Sequence, residues 1–195
     1  MTAEAPTKVL IGEDEAIIRL DLKEMLEEEG FDVVGEAADG EAAVRLAGER
    51  SPDLVIMDIK MPGLDGLSAA ERIRESPGCA VLVLTAFSQK DLVKKAAEAG
   101  AMAYLVKPFQ KTDLLPAIDI ALARHAELSA VRKEATDRSE QLEARKLIDR
   151  AKGRLMDREN MTEADAFRFI QKRAMDERVP MKQVARRILE ATETA

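Results

Sequence analysis

The stretch that most constrains this chain is a run of four apolar residues that ends on a carboxylate, Leu54-Val55-Ile56-Met57-Asp58. Such a run is typical of a β-strand buried on both faces, as in a parallel sheet covered by helices. A Pro-Gly turn follows at Pro62-Gly63, so Asp58 is expected at the carboxyl edge of that sheet. Open α/β sheets bind their ligands at this edge. The sequence therefore predicts that Asp58 is the reactive group.

Four other short apolar runs alternate with segments whose apolar residues have helical spacing, such as Ile18, Leu22 and Met25 before Gly30. This alternation predicts an α/β fold, a five-stranded parallel, doubly wound (flavodoxin-like) sheet over residues 7–125, with helices on both faces. Ser88 is expected to cap the fourth helix, and the last helix of the sheet domain is expected to begin near Thr112. The predicted strands are 9–11, 31–34, 54–58, 80–84 and 103–106.

Acidic residues follow two of these strands. Glu13 and Asp14 end the first and Asp58 ends the third, and in such sheets these two strands flank the topological switch point. Clustered carboxylates repel one another unless a cation lies among them, and oxygen ligands with water favour Mg²⁺. We predict that Asp14 and Asp58 are direct Mg²⁺ ligands and that Glu13 contacts the ion directly or through water. The backbone carbonyl of Lys60 is predicted as a further ligand.

The chemistry expected of this pocket is phosphoryl transfer. An aspartate beside Mg²⁺ can accept a phosphoryl group, because the ion neutralises charge on the transferring oxygens. Thr85, at the end of the fourth strand, offers a hydroxyl to a phosphoryl oxygen, and Lys107, at the end of the fifth, supplies a positive charge. A hydrolase that turns over an aspartyl phosphate is an alternative, although such phosphatases usually carry a second aspartate where this chain has Lys60.

The ordered motifs resemble the receiver domain of two-component response regulators. They are Glu13-Asp14, Asp58 before Lys60-Met61-Pro62-Gly63 and Asp65-Gly66, Thr85-Ala86, and Lys107-Pro108-Phe109. The resemblance implies that a sensor histidine kinase phosphorylates Asp58 with Mg²⁺, and that Thr85 and Tyr104 then rearrange as a switch. It also implies a cis Lys107-Pro108 bond. Such a domain is not an enzyme; it assists only its own phosphorylation and slow dephosphorylation.

The back of the chain differs in charge from the front. Residues 1–125 carry 14 Lys and Arg against 23 Asp and Glu, a net of −9, whereas residues 126–195 carry 16 against 14, a net of +2. We predict a helical linker over residues 126–143, with an apolar spacing at Leu128, Val131, Ala135 and Leu142. This linker is either solvated or pairs weakly with a second copy of the chain in a coiled coil, giving a homodimer.

Beyond the linker, the pattern predicts a three-helix bundle. The first helix carries Ala144, Ile148, Ala151 and Leu155 on one face, and Pro180 suits the first turn of the third. A capping box at Thr162-Glu163-Ala164-Asp165 starts the second helix, for which Phe167, Ile170 and Ala174 are expected inward. Lys146, Arg150 and Arg154 recur every four residues opposite the apolar stripe, and Lys172, Lys182 and Arg186 extend this basic set. A basic face of this kind is either solvated or binds nucleic acid.

The tail resembles the ANTAR domain over residues 137–192. The resemblance rests on Arg145 to Gly153, Met161 to Phe167, Ala174-Met175 and Val184-Ala185. That family is an RNA-binding transcription antiterminator module, and the whole layout resembles the actinobacterial antiterminator response regulators. The implied targets are RNA hairpins near a terminator. The alternative is a phosphorylation-controlled transcription factor whose tail is a helix-turn-helix that reads duplex DNA.

Three features of the sequence bear on the cellular location of the protein. No apolar run approaches the roughly 20 residues of a membrane helix, so no membrane partner is expected. The N-terminus lacks a basic-then-apolar signal pattern, and the one cysteine, Cys79, suits a reducing compartment. The cytoplasm is the predicted location.

Overall fold

The computed structural model describes residues 5–75, 78–86 and 90–190. Ser88, the expected helix cap, lies outside them. Strands and helices alternate strictly through the first part of the chain. They are β1 Lys8–Gly12, α1 Ala16–Glu28, β2 Asp32–Ala37, α2 Gly40–Arg50, β3 Leu54–Asp58, α3 Gly66–Glu75, β4 Ala80–Thr85, α4 Lys90–Glu98 and β5 Ala103–Val106, followed by α5 Lys111–Glu159, α6 Glu163–Glu177 and α7 Met181–Glu190.

The five strands form one parallel sheet in the order β2-β1-β3-β4-β5. The chain moves from β1 outward to β2 and then returns to place β3 on the other side of β1. The carboxyl ends of β1 and β3 therefore flank the point where the strand order reverses, which confirms the predicted flavodoxin-like sheet.

Helices cover both faces of this sheet because successive residues of a buried strand point to opposite sides. Ile11 and Ile56 pack on one side, with Leu22 of α1 and Ile118 of α5. Leu10, Val55 and Met57 pack on the other side, against helices α2, α3 and α4. Burial on both faces explains why these strands are continuous apolar runs rather than alternating patterns.

The chain divides into two compact units, residues 1–129 and 130–195. Helix α5 continues without a break from Lys111 to Glu159. Its residues 130–143 are all exposed and include Val131 and Leu142. The predicted domain limits at 125, 137 and 143 fall within this helix and stay predictions.

The second unit is a small helical bundle. Its core joins Ala151 and Leu155 of α5, Ala166, Ile170 and Ala174 of α6, and Val184 and Ala185 of α7. Thr162 caps α6 as predicted, because its hydroxyl oxygen accepts the Asp165 amide at 3.2 Å. The inward assignment of Phe167 is wrong: its side chain is 42% exposed and Ala166 is buried instead. The contacts in this core are made largely by alanines, and a phenyl ring is too large for such a close helix packing.

Candidate functional site

Three carboxylates meet where the strand order reverses. Glu13 and Asp14 directly follow β1, and Asp58 is the last residue of β3. One oxygen from each lies within 4.8 Å of the others. Glu13 is fully buried and Asp58 is 6% exposed, whereas Asp14 is open to solvent. The sequence-predicted acidic residues therefore form one cluster with a single accessible side.

A lysine from the far edge of the sheet completes the cluster. The Lys107 Nζ lies 2.6 Å from Glu13 Oε2 and 3.1 Å from Asp58 Oδ2. Lys107 directly follows β5. Its backbone amide donates a hydrogen bond to the Thr85 carbonyl at 2.7 Å, which joins the end of β5 to the end of β4. The Lys107-Pro108 bond is cis, as the resemblance implies. Residues 94 positions apart thus share a direct ion pair.

Burial and charge act in opposite directions on these groups. Burial raises the pKa of Asp58 and of Glu13 above the ordinary carboxyl values, and the nearby Lys107 only partly offsets this. Burial alone would lower the pKa of Lys107, but its bonds and charge interactions with Glu13 and Asp58 raise it. The cluster holds more negative charge than one ammonium neutralises, so it favours an added cation.

The remaining predicted receiver residues surround this cluster. A cavity of about 230 Å³ is lined by Asp14, Asp58, Lys60, Thr85 and Lys107, among others. Thr85 is 3% exposed at the end of β4. Tyr104 is half exposed on β5, paired in register with Val83, two residues before Thr85. Asp58, Thr85 and Lys107 therefore line one common cavity.

Two further residues support the cluster, Arg19, which no sequence motif indicated, and Gly66, which belongs to the Asp65-Gly66 motif of the receiver resemblance. Arg19 of α1 donates from Nη1 to the Glu13 carbonyl at 2.6 Å and is within 3.4 Å of the Asp14 carbonyl, so it fixes the acidic loop. Gly66 lies so close to Asp58 that an added Cβ would be 1.8 Å from the Asp58 carbonyl oxygen. Helical spacing shows Arg19 only as one more charged surface residue, whereas Asp65-Gly66 was already one of the motifs that resemble a receiver domain.

The donor set fits Mg²⁺. Three clustered carboxylates are the hard oxygen ligands that this ion prefers, and Asp14, Asp58 and Lys60 line one cavity. The predicted ligands Glu13, Asp14 and Asp58 are therefore close enough together to share an ion, and the Lys60 carbonyl stays a predicted ligand. The cluster is compatible with the Mg²⁺ that receiver domains use.

The predicted basic residues of the tail fall into two places. Lys146, Arg150 and Arg186 line one shallow depression between α5 and α7, and Lys182 and Arg186 line another. Arg154 instead lines a separate groove, together with Arg158, Arg173 and Arg187, which the sequence reasoning did not single out. Lys172 is exposed on α6 and lines neither of these depressions nor the groove. The basic surface is thus broader than one helix face.

Comparisons with known proteins agree with this arrangement. The response regulator receiver domain matches residues 9–119, and the ANTAR domain matches residues 136–189. The transcriptional regulatory protein PdtaR of Mycobacterium tuberculosis is 56% identical over 98% of this chain and 94% of its own length. The chain belongs to the response regulators that join a receiver domain to an ANTAR domain.

Other relatives match the receiver part alone. The chemotaxis protein CheY of Bacillus subtilis is 41% identical over 59% of this chain and 97% of its own length. Among solved structures, the receiver domain of the response regulator NarL from Mycobacterium tuberculosis has a TM-score of 0.58 at 31% identity, over 60% of this chain and 98% of that one. The CheX-CheY-BeF3-Mg complex from Borrelia burgdorferi has a TM-score of 0.56 at 32% identity, over 58% of this chain and 87% of that one.

Family membership decides between the alternatives raised by the sequence. It supports a phosphorylation-controlled response regulator with RNA-binding antitermination, and it does not favour a DNA-reading tail. The receiver and ANTAR families are not catalytic enzyme families, so the hydrolase alternative loses its support. Among the residues that the structure describes, no helix combines the length and apolarity needed to cross a bilayer.

Proposed function

We propose that Asp58 is the residue that a sensor histidine kinase phosphorylates, and that this modification controls the RNA-binding tail. The observation that supports this most is the position of Asp58, which forms a carboxylate cluster with Glu13 and Asp14 and lies 3.1 Å from the Lys107 ammonium. In the CheY complex named above, BeF3 and Mg are present together. We propose that this acidic pocket likewise holds an anionic phosphoryl group together with Mg²⁺.

In the proposed step, an Asp58 carboxylate oxygen attacks the phosphorus of a phosphohistidine. The new oxygen–phosphorus bond forms as the nitrogen–phosphorus bond breaks, and the imidazole nitrogen keeps the bonding electron pair. Bound Mg²⁺, held by Glu13, Asp14, Asp58 and the Lys60 carbonyl, would neutralise charge on the transferring oxygens. Lys107 supplies a fixed positive charge beside the acceptor, and the Thr85 hydroxyl is available to a phosphoryl oxygen.

Phosphorylation of Asp58 would change the charge close to Thr85 and the neighbouring strand β5. A phosphoryl group adds roughly 1.5 to 2 negative charges and three strong acceptor oxygens. Thr85 ends β4 directly beside β5, which carries Tyr104. We propose that Thr85 moves toward the phosphoryl group and that Tyr104 changes its exposure in response. The receiver would assist only its own phosphorylation and slow dephosphorylation.

The RNA partner is proposed to be a hairpin in a transcript leader or near a terminator. Lys146, Arg150, Arg154, Lys172, Lys182 and Arg186 are the predicted contacts, and all but the partly buried Lys182 are exposed. Exposed lysine and arginine side chains bind the phosphate backbone, while unpaired loop bases require stacking or hydrogen bonds. A transcript target also implies the compartment of transcription, and we propose the cytoplasm.

A homodimer is proposed from helix α5. Val131 and Leu142 are exposed, 64% and 57% respectively, and their separation of eleven residues places them on one helix face. Two such faces could pair weakly in a coiled coil. Sedimentation or light scattering at increasing protein concentration tests this, and a monomer at all concentrations would remove it.

The function is tested by loading the full chain with acetyl phosphate and Mg²⁺, then measuring intact mass and affinity for hairpin RNA. The variants are Asp58→Asn and, as a matched control, Asp53→Asn, which changes an aspartate just before the opposite end of the same strand. We expect one phosphoryl group on the native chain and on the control, and none on Asp58→Asn. We also expect hairpin affinity to change on loading in the first two proteins only.

Two outcomes contradict the proposal separately. Equal phosphoryl incorporation in Asp58→Asn and the native chain would refute Asp58 as the acceptor. Normal incorporation with hairpin affinity unchanged would leave the acceptor in place and refute the control of RNA binding by phosphorylation.

A further inference from the structure

The second unit contains a groove that only one of the predicted RNA contacts, Arg154, lines. It has a volume of about 330 Å³ and lies between the end of α5 and helices α6 and α7. Four arginines line it, Arg154, Arg158, Arg173 and Arg187, against two glutamates, Glu159 and Glu177. Its charged lining is therefore net positive by two. Leu155, Val184 and Ile188 form its apolar base.

An aromatic ring lies in this groove. Phe169 is 37% exposed, although a phenyl ring in a small domain is usually buried. The Arg173 guanidinium carbon is 5.9 Å from the centre of the Phe169 ring, within the range of a cation–π contact. A flat apolar ring beside a guanidinium group is the arrangement on which nucleic-acid bases stack.

The arginines of the groove divide into two pairs. The Glu177 carboxylate accepts hydrogen bonds from Arg173 Nε at 3.1 Å and from Arg187 Nη1 at 2.5 Å, so one carboxylate orients two guanidinium groups. Arg154 and Arg158 have no hydrogen bond or ion pair with any other residue in the described ranges. These two are therefore available to an anion, and their guanidinium geometry suits a phosphate.

We propose that this groove binds an unpaired nucleotide of an RNA loop, with its base stacked on Phe169 and its phosphate contacted by Arg154 and Arg158. The inference rests on the RNA-binding function proposed above and gives it a base-recognition site. Positive charge alone would suit any polyanion, including an acidic peptide. The exposed ring favours RNA, because a base has a face to stack and an acidic side chain has none.

The experiment uses the full chain and one stem-loop RNA, selected by the native protein from a pool with a fixed stem and a randomised loop. Loop nucleotides are replaced singly by abasic residues, and dissociation constants are compared at one fixed salt concentration. We expect Phe169→Leu to weaken binding about tenfold, equal to about 1.4 kcal/mol. Phe169→Trp should bind nearly as well as the native chain, since an indole also stacks.

Phe167→Leu is the matched control. It removes a second, similarly exposed phenyl ring from the same helix, but outside the groove, and is expected to change affinity less than twofold. One abasic position should weaken native binding by the same factor as Phe169→Leu. Combining that abasic RNA with Phe169→Leu should cause no further loss, because both changes remove one stacking contact.

Several results would overturn the proposal. One is an RNA affinity of Phe169→Leu equal to that of the native chain. A second is that the losses in affinity from Phe169→Leu and from each abasic position simply add. A third is that a polyglutamate peptide displaces the RNA from the native chain but not from Phe169→Leu. If the native chain binds no member of the RNA pool, both this site and the proposed RNA-binding function fail. Tight native binding that Phe169→Leu does not alter refutes only the groove.

Discussion

The acidic pocket of the receiver and the basic surfaces of the tail are built in opposite ways. The pocket gathers residues up to 94 positions apart in the sequence, at the ends of four strands, and most of them are buried. The tail displays its charges on exposed positions of helices, where neighbours along one helix already share a face. The pocket therefore depends on a few contacts that the sheet holds in place, whereas we expect RNA binding by the tail to be spread over many residues. Single substitutions should be severe in the first region and mild in the second.

The largest expected contrast comes from two glycines. Gly66→Ala should lower the free energy of unfolding by about 2–3 kcal/mol, because its Cβ would overlap the Asp58 carbonyl oxygen. Gly153→Ala, within α5, should raise it by about 0.5–1 kcal/mol, because nothing lies within 4 Å of the added Cβ and alanine favours a helix. Urea unfolding measures both. Similar values for the two variants would break the contrast.

A smaller effect is expected at the ammonium group of the pocket. Lys107→Ala should slow phosphoryl incorporation from acetyl phosphate about thirtyfold, or about 2 kcal/mol of activation free energy, since a fixed positive charge beside the acceptor is lost. Lys111→Ala removes the same charge from a surface pair with Glu28 and Glu29. Its rate should stay within twofold of native, and a rate as slow as that of Lys107→Ala would indicate a general charge effect.

Mg²⁺ should stabilise the chain through the acidic cluster. At a free concentration roughly ten times its Kd, the ion should add about 1.4 kcal/mol to the free energy of unfolding. Asp14→Asn should remove most of this gain, and thermal unfolding with and without Mg²⁺ measures it. A gain of the same size in Asp14→Asn would place the ion elsewhere.

The gain from Mg²⁺ should depend on pH in a stated direction. The pKa values of Glu13 and Asp58 are raised, so the folded chain keeps these protons to higher pH than the unfolded chain. Without the ion, their contribution to stability is therefore highest at low pH and falls as pH rises through the interval between the unfolded and the folded pKa values. Mg²⁺ competes with the same protons, so its stabilising effect should grow through that interval. An effect that is flat with pH would contradict this.

The mildest effects are expected on the tail. Lys146→Ala and Arg150→Ala should each weaken hairpin RNA binding only about threefold and reduce the slope of log K against log salt by about one. Lys133→Ala removes an exposed charge from the same helix, outside the predicted contacts, and should leave both quantities unchanged. A loss of a hundredfold at either position would show that the tail, like the pocket, concentrates its binding.

The same difference explains what the sequence could predict. Strands that are buried on both faces have continuous apolar sequences, and the carboxyl ends of parallel strands lie at one edge of the sheet. The sequence alone therefore predicted that Asp58, Thr85 and Lys107 lie close together. Arg19 could not be found this way, because its role depends on two backbone carbonyls that its helix happens to reach. The roles that the residues of the pocket play remain predictions.

In the tail, the bundle was predictable and its contacts were not. Helical spacing indicated Ile170 and Ala174 as inward residues, and both are buried. Spacing also favoured the larger Phe167 over Ala166, but closely packed helices admit only the smaller side chain. The groove around Phe169 brings residues 154 and 187 to one place, and no periodicity within a single helix encodes such a meeting.

Glu177 gives the groove a property that its net charge hides. This carboxylate pairs with both Arg173 and Arg187, so in the proposed site these two guanidinium groups would lose less conformational entropy on binding a nucleotide than unpaired ones would. Arg154 and Arg158, with no such anchor in the described ranges, keep their rotamer freedom and can follow backbones of different curvature. The proposed nucleotide site would thus have paired arginines on one side and unpaired arginines on the other, and the unpaired side would accommodate RNA strands of different shape.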